Sequence, residues 1–361
     1  MPKKKPLKLK LALALFGGLM GLLLAELLLV ISKQPTFYKS RSSPSQFQFR
    51  VTPQGELFYT NLASASIDFV YDGNTRGYFN ADNTVSHTTN TLGFRGSTFL
   101  IDKPEGTDRI AALGDSFTFG EGVYDGDTYA QQLEKRLNSA SETHRYEAYN
   151  FGVGGYNTTQ SLQLLKDLAI QVKPDHVIFG YTLNDAEPAL FRLDKATGEI
   201  RRQERTIEAV DSATHSKPSD SPLDKLRIVQ LIRKFSDRRK ADELTTDYYH
   251  SLYESENPNW IETQNKLKEF GQFCAEQGVD STVVIFPVLY ELTEDYPFRD
   301  IHQQIARTLE ENSINYIDLY PHLKSYNATD LWVHPTDQHP NEIVHAILAE
   351  ILVEQILNAA D

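Results

Sequence analysis

Five short apolar runs alternate with helix-length amphipathic stretches after residue 109 of this 361-residue chain, and this alternation restricts its fold more than any other feature. The first run, Ile110-Ala-Ala-Leu113, is too short for a buried helix and stops at Gly114-Asp115-Ser116, so it reads as a buried strand. Four more follow: Glu147-Ala-Tyr-Asn-Phe151, His176-Val-Ile-Phe-Gly-Tyr181, Thr282-Val-Val-Ile-Phe286 and Asn315-Tyr-Ile-Asp-Leu319. Between them the pattern predicts a helix over 129–138 with Leu133 and Leu137 on one face, and another with Leu162, Leu165, Leu168 and Val172 along one stripe. Two further helices are expected over about 260–277 and 301–311, and a last one with Ile343, Ile347, Ile351 and Leu348, Leu352, Ile356 inward. Strands alternating with helices make an α/β fold, a five-stranded parallel sheet with helices on both faces.

The chain before this alternation is of another kind. Residues 11–31 are apolar at every position but Glu26 and follow Lys3, Lys4, Lys5, Lys8 and Lys10. Such a run is long enough to span a bilayer core of about 30 Å, and the lysines keep the N-terminus in the cytoplasm with the rest facing outward, periplasmic or extracellular. A cleaved signal peptide shares the basic start, but the apolar stretch is long for one and Val30-Ile31-Ser32 is a marginal cleavage site. An uncleaved single-pass anchor is therefore the expectation, with Glu26 near its outer end reaching the headgroups or protonated against a partner helix. Gly17 and Gly21 offer a small-residue face through which two such helices could pair as a homodimer. Residues 1–33 hold six Lys and one Glu, so the net charge of −13 becomes −18 for the exported part, which argues against nucleic acid as a partner. The single Cys274 excludes a disulfide framework and a Cys-rich zinc site. Residues 34–108 read as a linker and a β or irregular extension, with alternating runs Gln46-Phe-Gln-Phe-Arg-Val51 and Ile67-Asp-Phe-Val-Tyr71. Arg95, in the turn Asn90-Thr-Leu-Gly-Phe-Arg-Gly96, either reaches an acidic group of the main domain or belongs to a turn that merely packs.

Chemistry collects where the strands end. Ser116 lies just past the carboxyl end of the first strand, the edge at which sites of open α/β sheets form; it is a candidate nucleophile or a helix-capping serine. After the second strand, Gly152-Val-Gly154-Gly155-Tyr156-Asn157 fails the dinucleotide pattern, because Asn157 stands where its last glycine belongs. A glycine there can instead bring its backbone N–H close to a substrate oxygen. Asn184, after the third strand, can donate to an oxyanion or cap the next turn. Trp332-Val-His334-Pro-Thr-Asp337-Gln-His339-Pro340-Asn341 pins His339 between Asp337 and a proline that begins a helix, and a base oriented by a carboxylate is what a serine nucleophile needs. A metal site built from His334, His339, His345 and Asp337 competes, but its spacing fits no helical metal motif.

Taken together and in this order, Gly114-Asp115-Ser116, Asn150-Phe-Gly-Val-Gly-Gly155, Gly180-Tyr-Thr-Leu-Asn184-Asp185 and Asp337-Gln-His339-Pro-Asn341 resemble the four blocks of the SGNH, or GDSL, hydrolase superfamily. The resemblance implies a three-layer αβα, flavodoxin-like fold over 109–358 and an ester or thioester hydrolase. It makes Ser116 the nucleophile and His339 the base, with an oxyanion hole from the Ser116 and Gly155 backbone N–H groups and the Asn184 side chain. The family commonly sets its Asp three residues before the His, where this chain has Thr336; membrane-tethered bacterial members similar to this chain carry the D-x-H-P-N form, which leaves Asp337 or a backbone carbonyl to orient His339. No metal or organic cofactor is called for.

The expected activity is that of a membrane-anchored esterase acting on an acylated small molecule or glycan through an acyl-Ser116. The same residues would serve an O-acyltransferase or acetylesterase of envelope polysaccharide, and a non-catalytic binding or assembly module is the reading from another class. An insertion at 186–259 contains a hairpin candidate, Leu193-Asp-Lys-Ala-Thr-Gly-Glu-Ile200, a polar linker, and a basic helix that either packs on the core or turns as a lid toward anionic headgroups.

Overall fold

The protein is described from a computed structural model, which covers residues 16–28 (except 19 and 23), 41–42, 47–51, 57–141, 144–194, 196–202 and 226–360. Two compact units divide it, one of residues 1–38 and 206–245, the other of 39–205 and 246–361.

In the larger unit the extension forms small antiparallel sheets. β1 (Arg41–Ser42) pairs with β4 (Ser66–Val70), and β4 pairs with β5 (Thr84–Thr88); β2 (Phe47–Val51) pairs with β3 (Leu57–Asn61). On β4 the alternation is read correctly from sequence, with Ile67 and Phe69 buried beside Tyr71, Phe79 and Val85. The main sheet then follows: β6 (Thr107–Gly114), β7 (Arg145–Asn150), β8 (His176–Tyr181), β11 (Asp280–Ile285) and β12 (Asn315–Asp318), all parallel, in the spatial order β12-β11-β8-β6-β7. Before β11 comes a short hairpin, β9 (Phe191–Leu193) with β10 (Ile200–Arg202), at the place the sequence marks.

This strand order fixes where a site can be. From β6 the chain passes through α1 (Ser116–Phe119) and α2 (Tyr129–Ala140) to β7 on one side, then through α3 (Thr158–Asp167) back past β6 to β8. Every later crossover continues in that second direction, through α4 (Arg227–Leu252), α5 (Pro258–Gln277) and α6 (Arg299–Glu311). Right-handed crossovers that reverse direction must put their helices on opposite faces. Accordingly α3 packs with α5 and α5 with α6, whereas α2 packs with the final helix α7 (Glu342–Ala360). The reversal leaves a crevice at the carboxyl end of β6, between the loops that follow β7 and β8.

Two helical expectations need correction. Helix α3 ends at Asp167, a 3-10 turn takes over 169–172, and Leu168 is only half-buried. On α7 the fully buried stripe is Val344, Leu348, Leu352 and Ile356, and Ile343, Ile347 and Ile351 are half-buried. Its apolar residues go nearly all the way round, so periodicity names no single face.

In the smaller unit the Glu26 carboxylate is a helix cap: Oε1 accepts the Arg227 N–H at 2.6 Å and Oε2 the Ile228 N–H at 2.9 Å, at the first turn of α4. That differs from the headgroup or partner-helix role expected of it, because a carboxylate at a helix N-terminus meets unpaired donors and a favourable dipole. Among the described residues no helix is long and apolar enough to cross a membrane, and much of 11–31 lies outside them, as does most of the basic helix face and all of the polar linker in the insertion.

Candidate active site

The turn that carries Ser116 is built by residues that leave no room for alternatives. Gly114 ends β6 at φ 147°, and a Cβ on it would come within 2.4 Å of Thr118 Oγ1 and 2.6 Å of the Gly180 carbonyl oxygen, so only glycine lets α1 fold back against β8. Asp115 then caps α1: its carboxylate accepts the Phe117 N–H at 2.9 Å and the Thr182 hydroxyl at 3.1 Å, which joins the turn to the loop that carries Asn184. Ser116 sits at the first position of α1, 9% exposed, with Oγ 2.9 Å from His339 Nε2.

His339 arrives on a hairpin. β13 (Trp332–His334) pairs with β14 (Asp337–Pro340), and α7 begins only at Glu342. The expectation that Pro340 starts the helix is thus corrected. Pairing with Trp332 draws Pro340 into the strand, and buried Asn341 makes the transition by donating to the Asp330 and Trp332 carbonyls and accepting the Ile343 N–H. Asp337 Oδ1 lies 2.5 Å from His339 Nδ1 and accepts the His339 backbone N–H at 3.1 Å, and Oδ2 accepts the Tyr71 hydroxyl at 2.9 Å. With a carboxylate at Nδ1 the neutral ring carries its proton there, leaving Nε2 to accept from Ser116. Thr336, at the family's usual position, turns away and bonds His334 Nδ1 at 2.8 Å.

The other two blocks flank Ser116 on the neighbouring strands. After β7, Asn150 donates to the Thr118 carbonyl at 2.8 Å and accepts the Gly152 N–H, and a Cβ on Gly152 would stand 2.3 Å from the Phe119 nitrogen. Gly155, at φ 79°, packs under Leu190 and the Tyr59 hydroxyl, which bonds the Gly154 carbonyl at 3.2 Å. After β8, the Asn184 amide oxygen bonds the Thr182 hydroxyl, and Tyr253 supports this turn by donating to the Leu183 carbonyl at 3.0 Å. Ser116, Gly155 and Asn184 therefore stand at the carboxyl ends of adjacent strands β6, β7 and β8.

Two residues that sequence reasoning did not bring to the site, and a third it left with two readings, complete the surroundings. Tyr71 closes the alternating run of β4, and Glu121 lies between Gly120 and Gly122; both line a pocket of about 170 Å³ beside His339, together with Thr336 and Asp337. Arg95, fully buried, takes the first of its two readings: it bonds Asp125 at 2.8 Å and donates to the carbonyls of Phe119, Gly120 and Val123, clamping the loop that carries Glu121. Arg95→Met should lower stability by about 2–4 kcal/mol, since it takes the donor from the buried Phe119 and Val123 carbonyls and the ion-pair partner from half-exposed Asp125. Thermal and denaturant unfolding would measure this, and a loss under about 1 kcal/mol would mean the loop holds without its clamp.

Charge around His339 is one-sided. Burial by itself would lower the ring's pKa, but the carboxylates of Asp337 and then Glu121 outweigh it and push it up to about 10. Burial works against the Asp337 carboxylate, yet the imidazole beside it holds the acid below its ordinary range, while burial raises Glu121. The four residues weighed as metal ligands do not converge. His334 bonds Thr336, and His345 is sequestered in the core, where its Nδ1 accepts the Tyr129 N–H and burial drives its pKa down to about 3.

The model of the GDSL-like lipase/acylhydrolase family matches residues 112–347, more than half of the chain. Among curated proteins the comparison returns no match. Similar solved structures include a lipase/acylhydrolase from Enterococcus faecalis, 14% identical over 69% of this chain and 95% of that one, with a TM-score of 0.40. A psychrotrophic esterase from a Pseudoalteromonas species is 11% identical over 70% of this chain and 98% of that one (TM-score 0.39). A two-domain esterase active on acetylated mannans is 12% identical over 70% of this chain and 49% of that one (TM-score 0.41).

Proposed function

The chain belongs to the GDSL-like lipase/acylhydrolase family and is a hydrolase of ester bonds, and from that premise we propose that it works through an acyl-enzyme on Ser116. The observation that carries the proposal is the unbroken hydrogen-bonded chain from Ser116 Oγ through His339 to Asp337. His339 Nε2 takes the hydroxyl proton as Oγ attacks the ester carbonyl carbon, and Asp337 stabilises the imidazolium that forms. The carbonyl π electrons move to oxygen, and the tetrahedral oxyanion is met by the Ser116 and Gly155 backbone N–H groups and the Asn184 amide. The bond between Thr182 and the Asn184 oxygen supports this role for Asn184, since it leaves the NH₂ end as the donor. Collapse expels the alcohol, which receives the proton from His339. Water, deprotonated in turn by His339, then releases the acid and regenerates Ser116.

The apolar run 11–31 is proposed as a single-pass anchor, with the lysine-rich tip of 1–33 in the cytoplasm and, beyond the extension of 34–108, the catalytic domain of 109–358 outside. A fluorophosphonate should label the full-length chain at a single serine, mapped by mass to Ser116, with loss of activity in step. Labelling elsewhere, or full turnover after labelling, would exclude the acyl-Ser116 route. Product analysis with and without added sugar alcohols tells hydrolysis from acyl transfer, which would use the same residues.

A further inference from the structure

Nothing in the acyl-enzyme mechanism calls for a second carboxylate at the base, yet the loop 119–125 delivers one. Glu121 Oε2 stands 3.8 Å from His339 Nε2, the nitrogen that Ser116 Oγ approaches to 2.9 Å. We propose that Glu121 is a positioning residue for His339, a carboxylate on the Nε2 side that stabilises the imidazolium against the neutral base and so governs when Ser116 is activated. The inference rests on reading Ser116 and His339 as nucleophile and base.

The placement is built rather than incidental. Gly120 and Gly122 flank Glu121 at φ 78° and 81°, and a Cβ on Gly122 would lie 2.3 Å from Val333 Cγ1 and 2.6 Å from the Tyr71 hydroxyl. The Gly122 N–H donates to His87 Nε2 at 3.2 Å, and Arg95 fixes the carbonyls on both sides. Held this way, Glu121 joins Asp337 and His339 in a group in which one nitrogen or oxygen atom from each residue lies within 4.8 Å of the other two. Nδ1 is already committed to Asp337, so the two remaining groups compete at Nε2. The serine hydroxyl needs the lone pair of the neutral ring, whereas the carboxylate favours the charged N–H. An opposite charge at this range typically moves a pKa by about 1–3 units.

The other charged and titratable groups around the ring leave Glu121 as the unmatched one. Asp115 lies behind Ser116 and is bonded by Thr182, Asp337 is bonded by Tyr71, and Arg95 is paired with Asp125. His87 and His345 are buried in forms that resist protonation, and His334 is bonded to Thr336. With a carboxylate near each ring nitrogen, the midpoint of His339 is held above the ordinary imidazole range. Activity on a neutral ester should then rise with pH through the alkaline range, because the fraction of neutral His339 rises.

The test uses the full-length chain in detergent, as wild type, Glu121→Gln and Glu121→Asp. The His339 ring is titrated by ¹⁵N NMR, assigned from its loss in His339→Ala, and kcat/KM for triacetin is followed against pH in a pH-stat. Glu121→Gln should lower the His339 midpoint by about one pH unit or more and move the acid limb of kcat/KM with it. Below the wild-type limb that variant is then about tenfold faster, and Glu121→Asp keeps most of the wild-type midpoint. If Glu121→Gln folds poorly, the smaller downward shift expected of Glu121→Asp carries the test. Coincident midpoints in all three proteins overturn the inference. A midpoint that moves in a protein that hydrolyses no ester supports the pairing and counts instead against Ser116 as nucleophile.

Discussion

Ser116→Ala is expected to leave a folded protein whose ester hydrolysis has fallen by about four to six orders of magnitude. The size of the loss follows from what Oγ does. In the proposed mechanism it forms the bond to the acyl carbon and hands its proton to His339 Nε2, 2.9 Å away, so without it neither half of the cycle has a path. What remains is the acceleration that oriented donors at the ends of β6, β7 and β8 give to direct attack by water, and that residue of activity is small in serine hydrolases. Folding should be nearly untouched, because the side chain is small and the turn around it is held by Asp115, Gly114 and Asn150. Turnover in a pH-stat and thermal unfolding measure the two quantities separately. A variant that unfolds with wild-type cooperativity and still turns over normally would remove Ser116 from the chemistry.

Much of this site is legible in the sequence because a parallel sheet writes its strands as continuous apolar runs and puts its chemistry directly after them. Ile110 to Leu113 shows where β6 stops, and therefore where Ser116 stands. The same rule misses where β6 starts. Thr107 and Arg109 are buried polar residues, and Arg109 is satisfied by Glu147 and by the carbonyls of Val172 and Asp102, none of which an apolar count can see. Partners far apart in sequence are lost in the same way. The alternation of β4 says that Tyr71 points inward, but not that it meets Asp337, 266 positions later. Glu121 carries a faint signal, a charged residue between two glycines immediately after the serine turn; only the three-dimensional path of the loop shows that it faces His339. Arg95 reads in the sequence as a residue able to reach an acid, and its burial against Asp125 decides between the two readings.

Asp337→Asn should cost about 10⁴ in kcat, by presenting the wrong group to the imidazole. Tyr71 donates its hydroxyl to Oδ2, a bond that an amide keeps in this direction only with its oxygen. An asparagine can turn its NH₂ to the Tyr71 oxygen, losing only the charge, or keep accepting from Tyr71, which puts its NH₂ where Oδ1 now accepts from His339 Nδ1 and the His339 backbone N–H. In the second arrangement the ring is driven to carry its proton on Nε2, where it can no longer accept from Ser116. Thr336→Val should change kcat by no more than about threefold, since the Thr336 hydroxyl is spent on His334 Nδ1 and not on the base. Tyr71 makes the argument falsifiable in a second way. In Asp337→Asn/Tyr71→Phe the amide is free to turn its oxygen toward Nδ1, so the double variant should recover about tenfold or more over Asp337→Asn alone, a coupling whose sign no independent pair of defects produces. Equal and small losses from Asp337→Asn and Thr336→Val would mean that neither side chain orients His339. A double variant weaker than Asp337→Asn would locate the defect in lost charge rather than in the tautomer.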